Sequence, residues 1–101
     1  MIITCGHLEY EVGSAQKKEL EYLARWHADL QYIREFYGKD DPECEVSRKS
    51  VEFSIRQLDK MGVPFWLQNA ALYFSENWRR YKSESLWGWL NRRGGYAVTE
   101  V

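Results

Sequence analysis

Hydrophobic and polar positions recur at two periods along this chain, and each change of period marks a new element. Leu8, Tyr10 and Val12 alternate with Glu9 and Glu11, the period of two that turns one face of a strand toward a core. The Cys5-Gly6 step admits either a bulge or a tight turn, so residues 2–4 can form a short strand of their own. Gly13 then breaks the alternation, and Ser14 is placed to cap a helix. From Ala15 to Tyr37 the period lengthens. Leu20, Leu23, Trp26, Leu30, Ile33 and Tyr37 form the apolar stripe of a first helix, which Gly38 ends.

The second helix has the clearest start. Asp41 is the N-cap, Pro42 occupies the first turn, and Glu43 and Glu45 lie where the helix dipole favours acids. Arg48, Lys49, Glu52, Arg56, Asp59 and Lys60 share one face. Cys44, Val46, Val51, Phe53, Ile55, Leu58 and Met61 fill the other, with Ser47, Ser50 and Ser54 among them as small residues that permit close approach. Gly62-Val63-Pro64 is a short connection, so the second and third helices are expected to be antiparallel neighbours.

A third helix is predicted from Pro64 to about Tyr81. Leu67, Ala70, Ala71, Phe74, Trp78 and Tyr81 make its core stripe, while Phe65, Trp66, Leu72 and Tyr73 fall on the other side among Asn69, Glu76, Arg79 and Arg80. Continuing the same wheel would throw Leu86 and Leu90 off the stripe. A break is therefore expected near residues 82–85, with Ser83 or Ser85 capping a short fourth helix over Leu86–Arg93. Gly94-Gly95 ends it, and residues 96–101 have strand character. The expected fold is α+β and mostly α. It has three longer helices, one short C-terminal helix, and a two-stranded ribbon, antiparallel or parallel, made by the two ends of the chain.

Composition changes this picture little. At 101 residues, with 45% hydrophobic and 16% aromatic side chains, the chain suits one small domain with a compact core. Its net charge of −1 gives no global pull toward nucleic acid or an anionic membrane. The charge is uneven: residues 1–60 carry 12 acidic and 9 basic side chains, residues 61–101 carry 3 and 5. No apolar run approaches the roughly 20 residues of a membrane span. The stretch behind Met1, broken by Gly6, His7 and Glu9, does not read as a secretory segment. Two cysteines make no disulfide framework, so a cytoplasmic protein with reduced thiols is expected.

Candidate chemistry is sparse. Cys5, His7, His27 and Cys44 match a zinc site in number, but only Cys5 and His7 are close in sequence. Cys5 and His7 could also face one another as a nucleophile and base, yet no acidic orienter or oxyanion loop accompanies them. Asp40-Asp41 and Glu9/Glu11 have structural explanations, at a helix start and on a strand's polar face. No phosphate-loop, nucleophile-elbow or metalloprotease pattern is present. The chain reads as non-catalytic, with no metal, cofactor or small-molecule substrate.

Two functional readings remain. The first is a protein-interaction module, such as an adaptor, small subunit or inhibitor. It would dock a partner or a second copy through Phe65, Trp66, Leu72, Tyr73, Arg79, Arg80 and Trp87, because aromatic residues and arginine dominate interface centres. The alternative is an accessory protein that binds nucleic acid weakly through Arg79, Arg80, Lys82, Arg92 and Arg93.

Overall fold

In the computed structural model, which describes residues 1–78 and 84–100, the N-terminal stretch folds back on itself. Strands β1 (Ile2–Cys5) and β2 (Leu8–Glu11) pair antiparallel, with Cys5 opposite Leu8 and Gly6-His7 as the turn. Gly6 has φ 60, while His7 does not enter the positive-φ region. Glycine at the first central position is the type II′ arrangement, whose twist matches that of the flanking strands. Strand β3 (Ala97–Thr99) pairs antiparallel with the other side of β1, placing Ile2 opposite Thr99. The expected two-stranded ribbon is thus a three-stranded antiparallel sheet in the order β2-β1-β3. The physical reason is the Gly6 turn: it converts one long strand into a hairpin and makes β1 central.

Among the described residues four helices follow the hairpin: α1 (Ser14–Tyr37), α2 (Pro42–Lys60), α3 (Phe65–Asn77) and α4 (Leu86–Arg92). Ser14 does not cap α1. Gly13 is the N-cap, and its N–H donates to Gln16 Oε1 at 2.9 Å. The Gln16 amide then donates to the Tyr10 hydroxyl and to the Met61 carbonyl, tying the start of α1 to β2 and to the end of α2. Asp41 caps α2 as its sequence requires, accepting from the Glu43 N–H at 2.9 Å. Ser50 donates back to the Val46 carbonyl, the local bond that lets a hydroxyl sit on a helix. Ser85 caps α4 by accepting from the Gly88 N–H at 3.0 Å. Helix α3 ends at Asn77 with Trp78 as its C-cap, short of the expected Tyr81, and the expected break falls in part on the non-helical Glu84 and Ser85; Tyr81, Lys82 and Ser83 lie outside the described residues.

The helices are arranged around α1, which packs on both α2 and α3, whereas α2 and α3 share no extensive contact. The expected antiparallel α2–α3 pair is therefore replaced by two pairs with α1 in common. Gln68 ties the two helices where they are joined. It is buried at the start of α3, and its amide donates to Asp59 Oδ1 and to the Val63 carbonyl, pinning the α2–α3 connection rather than the helix faces.

Leu20, Leu23 and Ala24 of α1, Val51 and Leu58 of α2, and Leu67, Ala70 and Ala71 of α3 form the core, joined by Leu86, Trp87, Trp89 and Leu90 of α4 and by Ile3 of the sheet. The expected α1 stripe is only half right. Trp26 and Tyr37 face outward, and Val46, Phe53 and Met61 of the apolar side of α2 do the same. Helix α1 packs on α2 and α3 and is bonded to α4 through Glu21 and Trp87, while the side that carries Trp26 stays open.

Candidate functional site

The outer side of α3 was the expected site, and its residues separate into three groups. Phe65 is 73% exposed and Tyr73 is 54% exposed. Eight residues apart, they lie on one stripe with the exposed Asn69 between them. Trp66 and Leu72 are half-buried and pack against the core. Trp87 does not extend the patch: it is only 8% exposed, and its indole N–H donates to Glu21 Oε1 at 3.1 Å.

Tyr73 rests on a second layer of rings, and a separate ring pair lies beside Phe65 in sequence. The Trp66 and Tyr96 rings stack at 6.2 Å with 7° between their planes. Tyr73 meets Trp89 at 5.3 Å, and Phe74 meets the same indole edge-on at 5.5 Å. Trp89 itself is buried. Burial raises the Tyr96 phenol above its ordinary value, and the nearby Cys5 adds to the rise. The Tyr73 ring is therefore braced by a fixed layer from α4.

Arg79, Arg80 and Lys82 lie outside the described residues. Arg92 lies along α4 and donates from Nε to the Gly88 carbonyl at 3.4 Å. Arg93 donates from Nε to Glu84 Oε1 at 2.9 Å. Both arginines thus have roles at the end of α4 besides any toward a ligand.

The Cys/His candidates are dispersed. Cys5 ends β1, His7 sits in the exposed hairpin turn, and Cys44 is buried at the start of α2 with its thiol directed to the Gly38 carbonyl. Among the described residues, no three His, Cys, Asp or Glu side chains group as a metal site. No described helix is long and apolar enough to cross a membrane.

His27 has a different role. Its Nδ1 is hydrogen-bonded to the buried Ser75 hydroxyl, which itself donates to the Leu72 carbonyl at 2.6 Å. One hydroxyl proton cannot serve both, so His27 must donate from Nδ1, leaving Nε2 to accept from Gln31. A serine bonded in this sense is not being activated as a nucleophile, because its proton points away from the imidazole. The chain Gln31–His27–Ser75–Leu72 instead joins α1 to α3.

Burial lowers the His27 pKa below its ordinary value of 6.5; Glu76 opposes this and Arg34 adds to it. The folded chain then takes up this proton at lower pH than the unfolded chain does. Stability from this site is complete above pH 6.5 and declines as pH falls from there through the folded-state value. Urea midpoints measured across that range should fall less steeply for His27→Gln than for the parent. Parallel curves would assign the acid loss to other groups.

A second exposed apolar region was not anticipated. Tyr22 and Trp26 of α1 and Val46 and Phe53 of α2 all remain open to solvent along one groove. Their spacing carried the signal. Val46 and Phe53 lie seven residues apart with the charged Lys49 and polar Ser50 between them, on a stripe distinct from that of Val51 and Leu58. No family model, no curated protein and no solved structure matches the chain.

Proposed function

We propose that the chain is a non-catalytic protein-interaction module that docks a larger partner on the outer side of α3. The observation that supports this most directly is the open Tyr73 ring held against the buried Trp89, with the exposed Phe65 on the same stripe. Aromatic groups already held by a fixed layer lose little side-chain freedom on binding, which raises the fraction of contact energy that appears as affinity. Trp66 and Leu72 supply the rim nearest the core. Arg79, Arg80 and the arginines at the end of α4, Arg92 and Arg93, would add long-range attraction for an acidic partner surface. Nothing in this role requires a metal, a cofactor or a reacting group.

The test is affinity capture from native lysate with the parent chain and with Phe65→Ala and Tyr73→Ala, each with and without nuclease. Phe65→Ala should change stability by no more than about 0.5 kcal/mol, because the ring is mostly in water. Tyr73→Ala should cost about 1 kcal/mol through its contact with Trp89. Proteins retained by the parent in both nuclease arms and lost from both variants are the expected result. Retention of the same set by both variants would remove α3 as the docking face. Retention that disappears with nuclease and falls steeply with salt would favour the nucleic-acid alternative through Arg79, Arg80, Lys82, Arg92 and Arg93.

A further inference from the structure

We propose that the outer edge of β2 accepts an extended basic segment of a partner protein as a fourth strand of the sheet. The inference does not depend on the docking role of α3. The register of the hairpin says which main-chain groups this edge offers. The Val12 N–H donates to the Met1 carbonyl at 2.7 Å, so Met1 and Val12 are a hydrogen-bonded pair. In an antiparallel ladder such pairs alternate with pairs that exchange no bond. Ile3 with Tyr10 and Cys5 with Leu8 are then bonded, while Glu9 and Glu11 turn their N–H and C=O groups away from β1. Among the described residues only β1 packs extensively along β2, and Glu9 and Glu11 are both exposed. Outward-facing donors and acceptors at a sheet edge are a template for strand addition. The opposite edge differs. There the same alternation turns Val98 of β3 outward, and its N–H is already taken by Asn91 Oδ1 at 3.1 Å.

Charge selects the occupant. Glu9 and Glu11 lie two residues apart, so their side chains share one face of the sheet, opposite the face on which Ile3 and Tyr10 pack against the core. Among the described residues neither carboxylate has an ion-pair partner. In an antiparallel guest, the residues directly opposite place their side chains on that same face, where opposite charges attract and like charges repel. A guest with lysine or arginine at both positions gains twice. A second copy of this chain loses. Pairing β2 with β2 across a two-fold sets Glu9 opposite Glu11 and Glu11 opposite Glu9, and a slip of two residues either way sets one glutamate opposite itself.

The guest residue between the two basic positions falls on the Tyr10 side of the sheet, where an apolar side chain fits. The edge therefore reads a pattern, basic, apolar, basic, in an extended chain. Main-chain bonds supply the attachment and the two carboxylates supply the choice. Because both carboxylates are exposed, salt screens the choice more than the attachment.

The probe is a blocked six-residue peptide alternating lysine and valine, titrated into the full chain at low salt and followed by NMR and amide hydrogen exchange. It should bind with a Kd of about 1 mM or below. The Glu9 and Glu11 N–H groups should gain protection, while those of Leu8 and Tyr10, already bonded to β1, should change little. The same peptide with glutamate in place of lysine should bind at least about tenfold more weakly. A chain carrying both Glu9→Lys and Glu11→Lys should reverse that preference, and the parent with the two peptides makes the comparison without any substitution. Methyl groups on the lysine backbone nitrogens, which face β2 in this pairing, should abolish binding, and on the valine nitrogens they should not. Tyr73→Ala should bind the peptide as the parent does, so failure of α3 docking and failure of this edge are told apart. No binding of the lysine peptide, equal binding of the two peptides, indifference to lysine methylation, or unaltered exchange at Glu9 and Glu11 would overturn the proposal. So would protection of those two amides that rises with concentration of the parent alone, the sign of a second copy at the edge.

Discussion

Replacing Trp89 by alanine is expected to destabilise the fold by about 3–5 kcal/mol, the cost of removing a buried tryptophan and leaving a cavity. Trp89 belongs to a helix of only seven residues, α4, which could not persist alone. Its indole joins that helix to Tyr73 and Phe74 of α3. It also lies against the turn that leads to β3: a Cβ at Gly94 would come within 3.0 Å of the indole and 3.1 Å of the Leu90 backbone. One side chain therefore locates α4, braces the exposed Tyr73, and fixes the path to the last strand. A domain of this size has a total stability of about 5–15 kcal/mol, so the loss is a large part of it. Urea titration should show a lower midpoint, and Trp89→Phe should recover part of the loss by refilling some of the volume. A Trp89→Ala chain that unfolds with the parent would mean that the ring layer does not hold α4.

The second large effect is expected at Ile3. It is fully buried and is the one residue of β1 so placed, with Tyr10 and Val98 opposite it on the two flanking strands. A small sheet holds together only when one of its faces packs on something, and here Ile3 makes that contact with the helical core. Ile3→Ala should cost about 2–5 kcal/mol and Ile3→Val about 0.5–1.5 kcal/mol. The same truncation at the partly exposed Ile2 should cost less than at Ile3. Equal losses at the two positions, read from denaturant midpoints, would show that the sheet is not anchored through one face.

The helices were legible in the sequence because their limits are set locally. Asp41 and Pro42, Gly38, and Ser85 each act within one turn, and each is where the chain enters or leaves a helix. What was not legible depends on counting neighbours. Trp26 and Phe53 have the spacing of core residues, and spacing reports a face without reporting whether anything covers it. Helix α1 packs on α2 and α3 and touches α4 at Glu21, and none of these covers the side with Trp26. Trp87 shows the converse: an aromatic residue beside a basic cluster looks like a binding group until the fold gives its N–H to Glu21, far away in sequence. Ser75 and Gln68 are polar residues whose burial could not be read from polarity, since it depends on His27 and Asp59 arriving from other helices. The sheet turned on the backbone angle of Gly6, which sequence alone left open between a turn and a bulge.

The order β2-β1-β3 has a consequence for synthesis. Ile2 is made well before its partner Thr99, which lies 97 residues further along the chain. At about 5–20 residues per second, translation separates the two by roughly 5–20 s. The hairpin to β2 needs only its own turn and can form within that interval, as can α1 against α2. Until residues 97–99 emerge, β1 keeps one side without its ladder, and the chain must spend that time as a helical pair carrying a strand with an unpaired edge.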